Sequence, residues 1–195
     1  MKATNWEGAY RVPMIARWPG EIPAGQVSDQ LAVMMDLFVT VLNATGSKMP
    51  DDRILDGKDI MPLLKSGAAS PHKILFGQQG THLATVRDER WKLHVVASRG
   101  MALKADSNGR WLDPRLPDGV TILAPIEQYN LDSPPGLTSG VVPAKMQLFD
   151  LKADPGEQVD VAAANPEEVR RLKGHFDQMN AEVPVIEEVK RVPIK

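Results

Sequence analysis

The sequence predicts a mixed α/β (α+β) protein with a helix-containing part over residues 1–69 and a small sheet-containing part over residues 70–195. Three observations predict this class. An apolar run followed by helical spacing fills the first part. Short β-rich runs separated by turn residues begin after residue 70. A capped amphipathic helix at 166–182 closes the second part. A length of 195 residues suits one domain or two small ones.

The first part contains one apolar run and two helical patterns. The run "RVPMIARW", residues 11–18, is bounded by prolines and predicts a short strand buried on both faces. Because two short helices cannot cover such a strand, we expect it to need neighbouring strands from other polypeptide. Helices are predicted at 36–45 and, for one turn, between the cap residue Asp59 and the stop residue Gly67.

The second part predicts a four-stranded antiparallel sheet. The runs "KILFGQQ", "HLATVRD" and "WKLHVVA" are typical of a meander, and "MQLFDL" adds a fourth strand. Residues 99–145 are rich in Gly, Pro, Asp and Asn without a period, which predicts a long loop. The closing helix has Asn165 as its predicted N-cap and Pro166 at its first position. Its apolar stripe consists of Val169, Leu172, Phe176 and Met179.

Composition excludes several classes of function. The formal charge is -2 and no Lys/Arg block stands out, so nucleic acid is not expected as a partner. The absence of cysteine excludes disulfides, thiolate metal sites and a cysteine nucleophile from this chain. No apolar run approaches the ~20 residues that a membrane helix requires, and the first residues lack a signal-peptide pattern. No membrane partner is predicted, and an export signal would have to precede residue 1.

Four stretches occur in a particular order: "KATNWEGAYRVPMIARWPG", "MMDLFVTVLNATG", "LDGKDIMPLLKSG", and "TVRDERWKLH" followed by "LFDLKADPGEQVDVA". Together they resemble the C-terminal portion of type I sulfatases, the arylsulfatase-like, formylglycine-dependent sulfuric ester hydrolases of the alkaline phosphatase superfamily. The resemblance implies that the first part is the tail end of an alkaline-phosphatase-like α/β domain. It also implies a parent enzyme that hydrolyses the sulfate ester of a small molecule or glycan.

The resemblance assigns two candidate site residues. Lys2 matches the family's lysine that contacts the sulfate ester, where a compact ammonium stabilises a sulfate oxygen. His82 precedes a β-rich run in "GQQGTH" and is a candidate substrate-binding residue, because the family's C-terminal sheet lends residues to the pocket rim. An exposed turn histidine is the alternative interpretation of His82. No metal ligand is predicted, and Asp154 and Glu157 are interpreted as turn residues.

The family's reaction centre is not expected within this sequence. Sulfatases oxidise the first residue of a Cys/Ser-x-Pro-x-Arg motif to formylglycine and bind Ca or Mg, whose hard cations need several oxygen ligands. The two Ser-Pro pairs, at Ser70 and Ser133, lack the motif's spacing. We therefore expect an N-terminal sulfatase domain outside this sequence to supply formylglycine and metal, and this chain alone to be inactive.

Two other functions stay open. Phosphonate monoester and phosphodiester hydrolases share the superfamily and some of these motifs. A non-catalytic assembly or binding module would pair its run 11–18 with another copy of the chain in a swapped homodimer. Family members are often periplasmic, lysosomal or secreted, and the sequence does not decide the compartment.

Several charged residues are interpreted as structural. Glu7 and Arg11, four apart around a turn, are predicted to pair with each other. Arg87 and Lys92 are interpreted as surface charge on a packed sheet. Of the histidines not assigned to the site, His94 and His175 are interpreted as structural and His72 as a loop residue.

Overall fold

The computed structural model describes residues 4–98 and 143–183. The chain divides into two compact units. The sheet unit combines Met1–Arg11 with Phe76–Lys195, and the intervening unit is Val12–Leu75. Most of the predicted loop 99–145, from 99 to 142, lies outside the described residues.

The sheet has four antiparallel strands, as predicted. They are β1 (Leu75–Gln79), β2 (His82–Arg87), β3 (Trp91–His94) and β4 (Gln147–Asp150), in the order β1-β2-β3-β4. In the centre of the sheet, Lys92 of β3 lies opposite Arg87 of β2 and Phe149 of β4. Since residues opposite each other share a face, the register decides which side chains meet.

One face of the sheet is apolar and carries the C-terminal helix. Val86, Leu93 and Leu148 lie opposite one another across three strands and are 0% exposed. Helix α4 (Pro166–Glu182) contacts β2 and β3 and buries Leu172 and Phe176. The predicted helix and the inner part of its apolar stripe are therefore confirmed.

The opposite face of the sheet carries the N-terminal segment, residues 4–10. This segment includes the short helix α1 (Glu7–Tyr10). The Trp6 ring lies 4.7 Å from the ring of His94 and 5.5 Å, edge-on, from the ring of Phe149. The sheet is thus covered by α4 on one face and by chain from the other end of the sequence on the second.

The start of α4 differs from the prediction in one detail. Asn165 is the N-cap residue, but its side chain makes no capping hydrogen bond. The Asn165 amide instead donates to the carbonyl oxygen of Val161, at 2.9 Å, across the 3₁₀ turn Ala162–Ala164. The turn offers the side chain a nearby acceptor, so the predicted capping bond is wrong.

The intervening unit contains the two predicted helices, α2 (Asp36–Ala44) and α3 (Met61–Ser66). Helix α3 ends at Gly67, whose φ of 65° is the left-handed conformation that glycine adopts without strain. The carboxylate of Asp36 is 0% exposed and accepts the backbone N–H groups of Val33 and Lys58, each at 2.8 Å. His72 Nε2 also contacts this carboxylate at 2.8 Å, so His72 is a buried structural partner of α2.

The predicted strand at 11–18 is wrong. These residues form no strand and are exposed. The described residues supply no neighbouring strand for this run, and Pro13 and Pro19 lack the N–H groups that pairing would use. Within 4–98 and 143–183, no helix is long and apolar enough to cross a membrane. Large exposed apolar side chains are common in the intervening unit and include Val12, Met14, Ile15, Trp18, Val27, Met34, Met35, Phe38, Val41 and Ile54.

Candidate functional site

The N-terminal segment is held to the sheet through Asn5. Its backbone N–H donates to Ser98 Oγ at 3.0 Å, and its side-chain Nδ2 donates to Gln79 Oε1 at 2.6 Å. Its carbonyl oxygen accepts a hydrogen bond from Lys92 Nζ at 2.6 Å. Since Asn5 is 1% exposed and bonded through backbone and side chain, the segment has one defined position on the sheet.

Lys92 is the centre of a buried charged network. Its side chain is 1% exposed, so the predicted surface charge is wrong. The ammonium contacts the Asn5 carbonyl, Glu7 Oε1 at 3.0 Å and Glu157 Oε1 at 3.0 Å. These three acceptors match the three N–H donors of an ammonium. Without them, the buried charge would carry a large desolvation penalty.

Glu7 faces the sheet rather than its predicted partner. Its Oε2 accepts a hydrogen bond from Arg87 Nη1 at 2.6 Å, and its Oε1 contacts Lys92. Arg11 is exposed, so the predicted pair of Glu7 and Arg11 is wrong. The carboxylates of Glu7 and Glu157 balance the positive charges of Arg87 and Lys92, which makes the network neutral overall.

Glu157 reaches the network from a strained backbone position. Its φ is 54°, in the left-handed region, which costs a non-glycine residue roughly 1–2 kcal/mol. Its Oε2 accepts the backbone N–H of Glu7 at 2.5 Å, and its Oε1 contacts Lys92 and His94 Nε2, the latter at 2.8 Å. The neighbouring Asp154 accepts the backbone N–H groups of Gln158 and Val159, as a turn residue does.

The protonation of the network follows from burial and contacts. Burial lowers the pKa of His94, against the opposing effect of its hydrogen bond with Glu157. Burial raises the pKa of Glu157, but the hydrogen bond from His94 and the charge of Lys92 bring that pKa below its ordinary value. His94 Nδ1 has no hydrogen-bond partner among the described residues. We therefore assign neutral His94 its proton on Nε2, where it donates to ionised Glu157.

A cleft of about 250 Å³ lies beside the anchored segment. Tyr10 closes one side of it and donates its hydroxyl hydrogen to the carbonyl oxygen of Gln78 at 2.8 Å. Gly77 permits this approach, because a Cβ there would lie 2.3 Å from Thr85 Oγ1 and 3.1 Å from the Tyr10 hydroxyl. The lining is polar but uncharged: Thr4, Asn5, Ala9, Tyr10, Gln78, Gln79 and Gly80.

The two predicted site residues are placed differently. Lys2 lies outside the described residues, two positions before Thr4 in the sequence. His82 is exposed at the start of β2 and is not part of the cleft lining. Their roles stay predictions. Lys92 and Glu157 were missed as parts of the site, although both belong to the quoted motifs and Lys92 falls in the middle of a β-rich run.

The described residues do not fit the two groups that the sulfatase resemblance implies. Across 4–98 and 143–183, no group of three or more His, Asp or Glu side chains is arranged to hold a metal ion. The hydroxyl of Ser70 donates to the carbonyl of Leu31 and accepts the backbone N–H of His72, so this Ser-Pro pair has a structural role. The second Ser-Pro pair, at Ser133, lies outside the described residues.

The fold and the anchored segment define a class: a small α+β portion that holds an N-terminal segment against a sheet. Comparison with known proteins then identifies the family. Residues 2–97 match the family model described as N-sulphoglucosamine sulphohydrolase, C-terminal. The chain is 43% identical to N-acetylgalactosamine-6-sulfatase of Sus scrofa over 172 residues, and 34% identical to arylsulfatase D of Homo sapiens over 153 residues. The chain belongs to the sulfatase family and corresponds to its C-terminal portion, as predicted.

The same comparisons show how much of each relative is matched. The two alignments cover 88% and 74% of this chain but only 30% and 26% of the relatives. Among solved structures, the PsFucS1 sulfatase from Pseudoalteromonas sp. superposes with a TM-score of 0.60 at 23% identity. That superposition covers 95% of this chain and 33% of the other, and it supports the fold.

Proposed function

We propose that this chain forms part of a sulfate ester hydrolase and contributes Lys2 to the group that binds the sulfate. The observation that carries the proposal is the attachment of the N-terminal segment to the sheet unit by hydrogen bonds of Asn5 and Glu7. Lys2 precedes this segment by two positions in the sequence. Thr4 is 8% exposed and lines the cleft.

In this proposal, Lys2 acts by electrostatics. Its ammonium contacts a sulfate oxygen and stabilises the negative charge that develops as the ester bond breaks. The attacking formylglycine hydrate and a Ca or Mg ion, which the family uses, are assigned to residues outside this chain. We therefore expect the isolated 195-residue chain to show no turnover of an aryl sulfate.

The cleft is proposed to bind the part of the substrate that carries the sulfate group. Its neutral amides and the Tyr10 hydroxyl are suited to the hydroxyl groups of a sulfated sugar or small molecule, because they hydrogen-bond without demanding a charge. His82, exposed at the start of β2, is proposed to lie at the rim of the substrate pocket. A His82→Gln variant in the complete enzyme is expected to raise KM several-fold with little change in kcat.

The partner in this proposal is the remaining α/β portion of the sulfatase. The intervening unit leaves Ile15 and Val27 more than nine-tenths exposed, together with the other large apolar side chains named above. Such a concentration of exposed apolar residues is typical of a surface that another protein region covers. A second copy of the chain is the competing occupant, and light scattering of the isolated chain distinguishes a dimer from a monomer.

The test uses the complete sulfatase polypeptide that carries these residues. Lys2→Ala is expected to lower kcat/KM for p-nitrophenyl sulfate by about 10²–10³, the usual cost of losing one charge-stabilising donor. Lys48→Ala is the matched control, because Lys48 is exposed and its ion pair with Asp51 lies at the surface. Equal activity of the Lys2→Ala variant and the control contradicts the proposal.

Substrate profiling decides between the sulfatase and its superfamily alternative. The complete enzyme is expected to hydrolyse p-nitrophenyl sulfate faster than bis-p-nitrophenyl phosphate or a phenylphosphonate monoester. A clear preference for either phosphorus substrate would replace the proposed reaction with that of a phosphodiester or phosphonate monoester hydrolase.

A further inference from the structure

We infer that Lys92, Glu157 and Glu7 form a positioning device that fixes the N-terminal segment and, through it, aims Lys2. The inference rests on the proposed role of Lys2. The contacts that fix the N-terminal segment involve only described residues. None of these three side chains is assigned to touch substrate, so each is a positioning residue.

The direction of the contacts supports this role. Lys92 Nζ donates to the carbonyl of Asn5, and Glu157 Oε2 accepts the backbone N–H of Glu7. Both contacts hold the backbone of the segment, two residues apart, rather than only its side chains. They therefore fix the path of the backbone between Asn5 and Glu7, and 87 and 150 residues of sequence separate the contacting groups.

The network places ionised side chains where apolar side chains could also fill the space. An apolar cluster in the same position would avoid the desolvation of buried ions, and such replacements are often neutral or stabilising. Glu157 also has a left-handed backbone, with a φ of 54°, which glycine adopts without strain. A buried carboxylate at a strained backbone position indicates that its contacts serve a geometric purpose.

Hydrogen bonds have a property that an apolar contact lacks: they specify direction. The three donors of Lys92 converge on one carbonyl and two carboxylates, so a shift of the segment by an ångström would break several bonds together. Catalytic charges lose much of their effect when misplaced by that distance. The network is thus suited to preorganising the position of the segment.

The first test is amide hydrogen exchange of the isolated chain with Glu157→Gln. A glutamine keeps the shape but replaces one acceptor oxygen with an NH₂ group. We expect the amide of Glu7, and that of Asn5, to exchange at least ~10-fold faster, because both hydrogen-bond to side chains beyond the segment. The amides of Val86 and Leu93, inside the sheet, are expected to stay protected.

The matched control is Glu89→Gln, which removes an exposed carboxylate that pairs with Lys152. It is expected to leave the exchange of Asn5 and Glu7 unchanged. If Glu157→Gln accelerates exchange uniformly across sheet and segment, the network stabilises the whole unit and the positioning role is overturned. Unchanged exchange at Glu7 also overturns it.

The second test is a double-mutant cycle in the complete sulfatase, with p-nitrophenyl sulfate as substrate. If Glu157 acts through Lys2, Glu157→Gln lowers kcat/KM in the wild-type background but causes less than a twofold further loss in the Lys2→Ala background. Fully multiplicative losses overturn the positioning proposal while leaving the role of Lys2 intact. If Lys2→Ala leaves kcat/KM unchanged, the proposed function is overturned instead. The hydrogen-exchange experiment then still decides whether the network fixes the N-terminal segment.

Discussion

The two units of the chain differ in which residues they bury and which they expose. The sheet unit buries apolar residues against α4 on one face of the sheet and encloses Lys92 and two carboxylates on the other. The intervening unit keeps a small interior around Leu31, Ile60 and Leu63 and exposes ten of its large apolar side chains. The sheet unit is thus built around its own core, whereas the intervening unit has the surface of a protein region that another region covers.

The difference indicates which contacts explain the exposed and buried residues of each unit. Exposed apolar residues in the intervening unit are explained by a partner, which we propose to be the rest of the sulfatase. Buried charges in the sheet unit are explained by contacts within the chain. Changes to the sheet unit should therefore affect stability directly, while changes to the apolar surface of the intervening unit should mainly affect association.

The largest effect is expected from Lys92→Met. The methionine fills similar space but leaves two buried carboxylates without their shared cation, and breaking a buried ion pair in this way typically costs about 3–5 kcal/mol. The free energy of unfolding from urea titration measures the loss. Lys152→Met, at an exposed pair with Glu89, is expected to cost less than about 1 kcal/mol. Equal losses for the two variants would contradict the buried network.

A matched pair of phenylalanines tests the contrast between the units. Phe176→Ala in α4 removes a ring that is 5% exposed and is expected to lower the free energy of unfolding by about 3 kcal/mol or more. Phe38→Ala in α2 removes a ring that is 52% exposed and is expected to cost the isolated chain less than about 1 kcal/mol. A large cost for Phe38→Ala would mean that the isolated chain already covers that ring, for example in a dimer.

A glycine in the intervening unit gives a smaller but specific effect. A Cβ on Gly57 would lie 2.2 Å from the carbonyl oxygen of Met35, next to the start of α2. Gly57→Ala is therefore expected to lower the free energy of unfolding by about 1–3 kcal/mol through overpacking. Gly174→Ala, within α4 and free of such contacts, is expected to raise it by roughly 0.5–1 kcal/mol. Thermal denaturation of both variants checks the opposite signs.

The smallest effect concerns pH. Burial lowers the pKa of His94 below its ordinary value of 6.5. Just below pH 6.5, His94 therefore binds a proton in the unfolded chain but stays neutral in the folded chain. Stability is thus highest above pH 6.5 and falls as the pH decreases below it, by at most about 1.4 kcal/mol per pH unit for this one group. The lowered pKa of Glu157 adds its own loss only below the ordinary value of 4.5.

Urea titrations between pH 4.5 and 6.5 isolate the contribution of His94. His94→Gln keeps a donor for Glu157 but cannot take up a proton, so its stability is expected to depend less on pH. His175→Gln, at an exposed position on α4, is the control and should keep the wild-type dependence. A wild-type slope in the His94 variant would contradict the assignment of a neutral buried histidine.

Local patterns predicted the elements but not the contacts between distant residues. The four strands, α2, α3 and α4 follow from hydrophobic period, turn residues and the glycine that ends α3, which are properties of short stretches of sequence. The strand prediction for 11–18 is wrong because a buried strand and an exposed apolar surface segment have the same sequence pattern. Lys92 was misread because its burial depends on acceptors from the two ends of the chain.

The candidate site, too, could be predicted from the sequence only where it depends on local motifs. The motifs around Lys2 and the family resemblance could be found in the sequence, and the comparisons confirm the family. The network could not be found, because Glu7, Lys92 and Glu157 are separated by 85 and 65 residues in sequence and meet only in the folded sheet unit. The left-handed backbone at Glu157 also leaves no mark in the sequence, because glutamate seldom adopts this conformation.

The most direct test of the central claim is an experimental structure of the complete sulfatase with sulfate bound. We expect the Lys2 ammonium within hydrogen-bond distance of a sulfate oxygen, about 2.7–3.2 Å, with the Asn5 carbonyl still bound to Lys92 and the Glu7 amide to Glu157. A sulfate bound elsewhere, or a Lys2 side chain pointing into solvent while the network is intact, would contradict it.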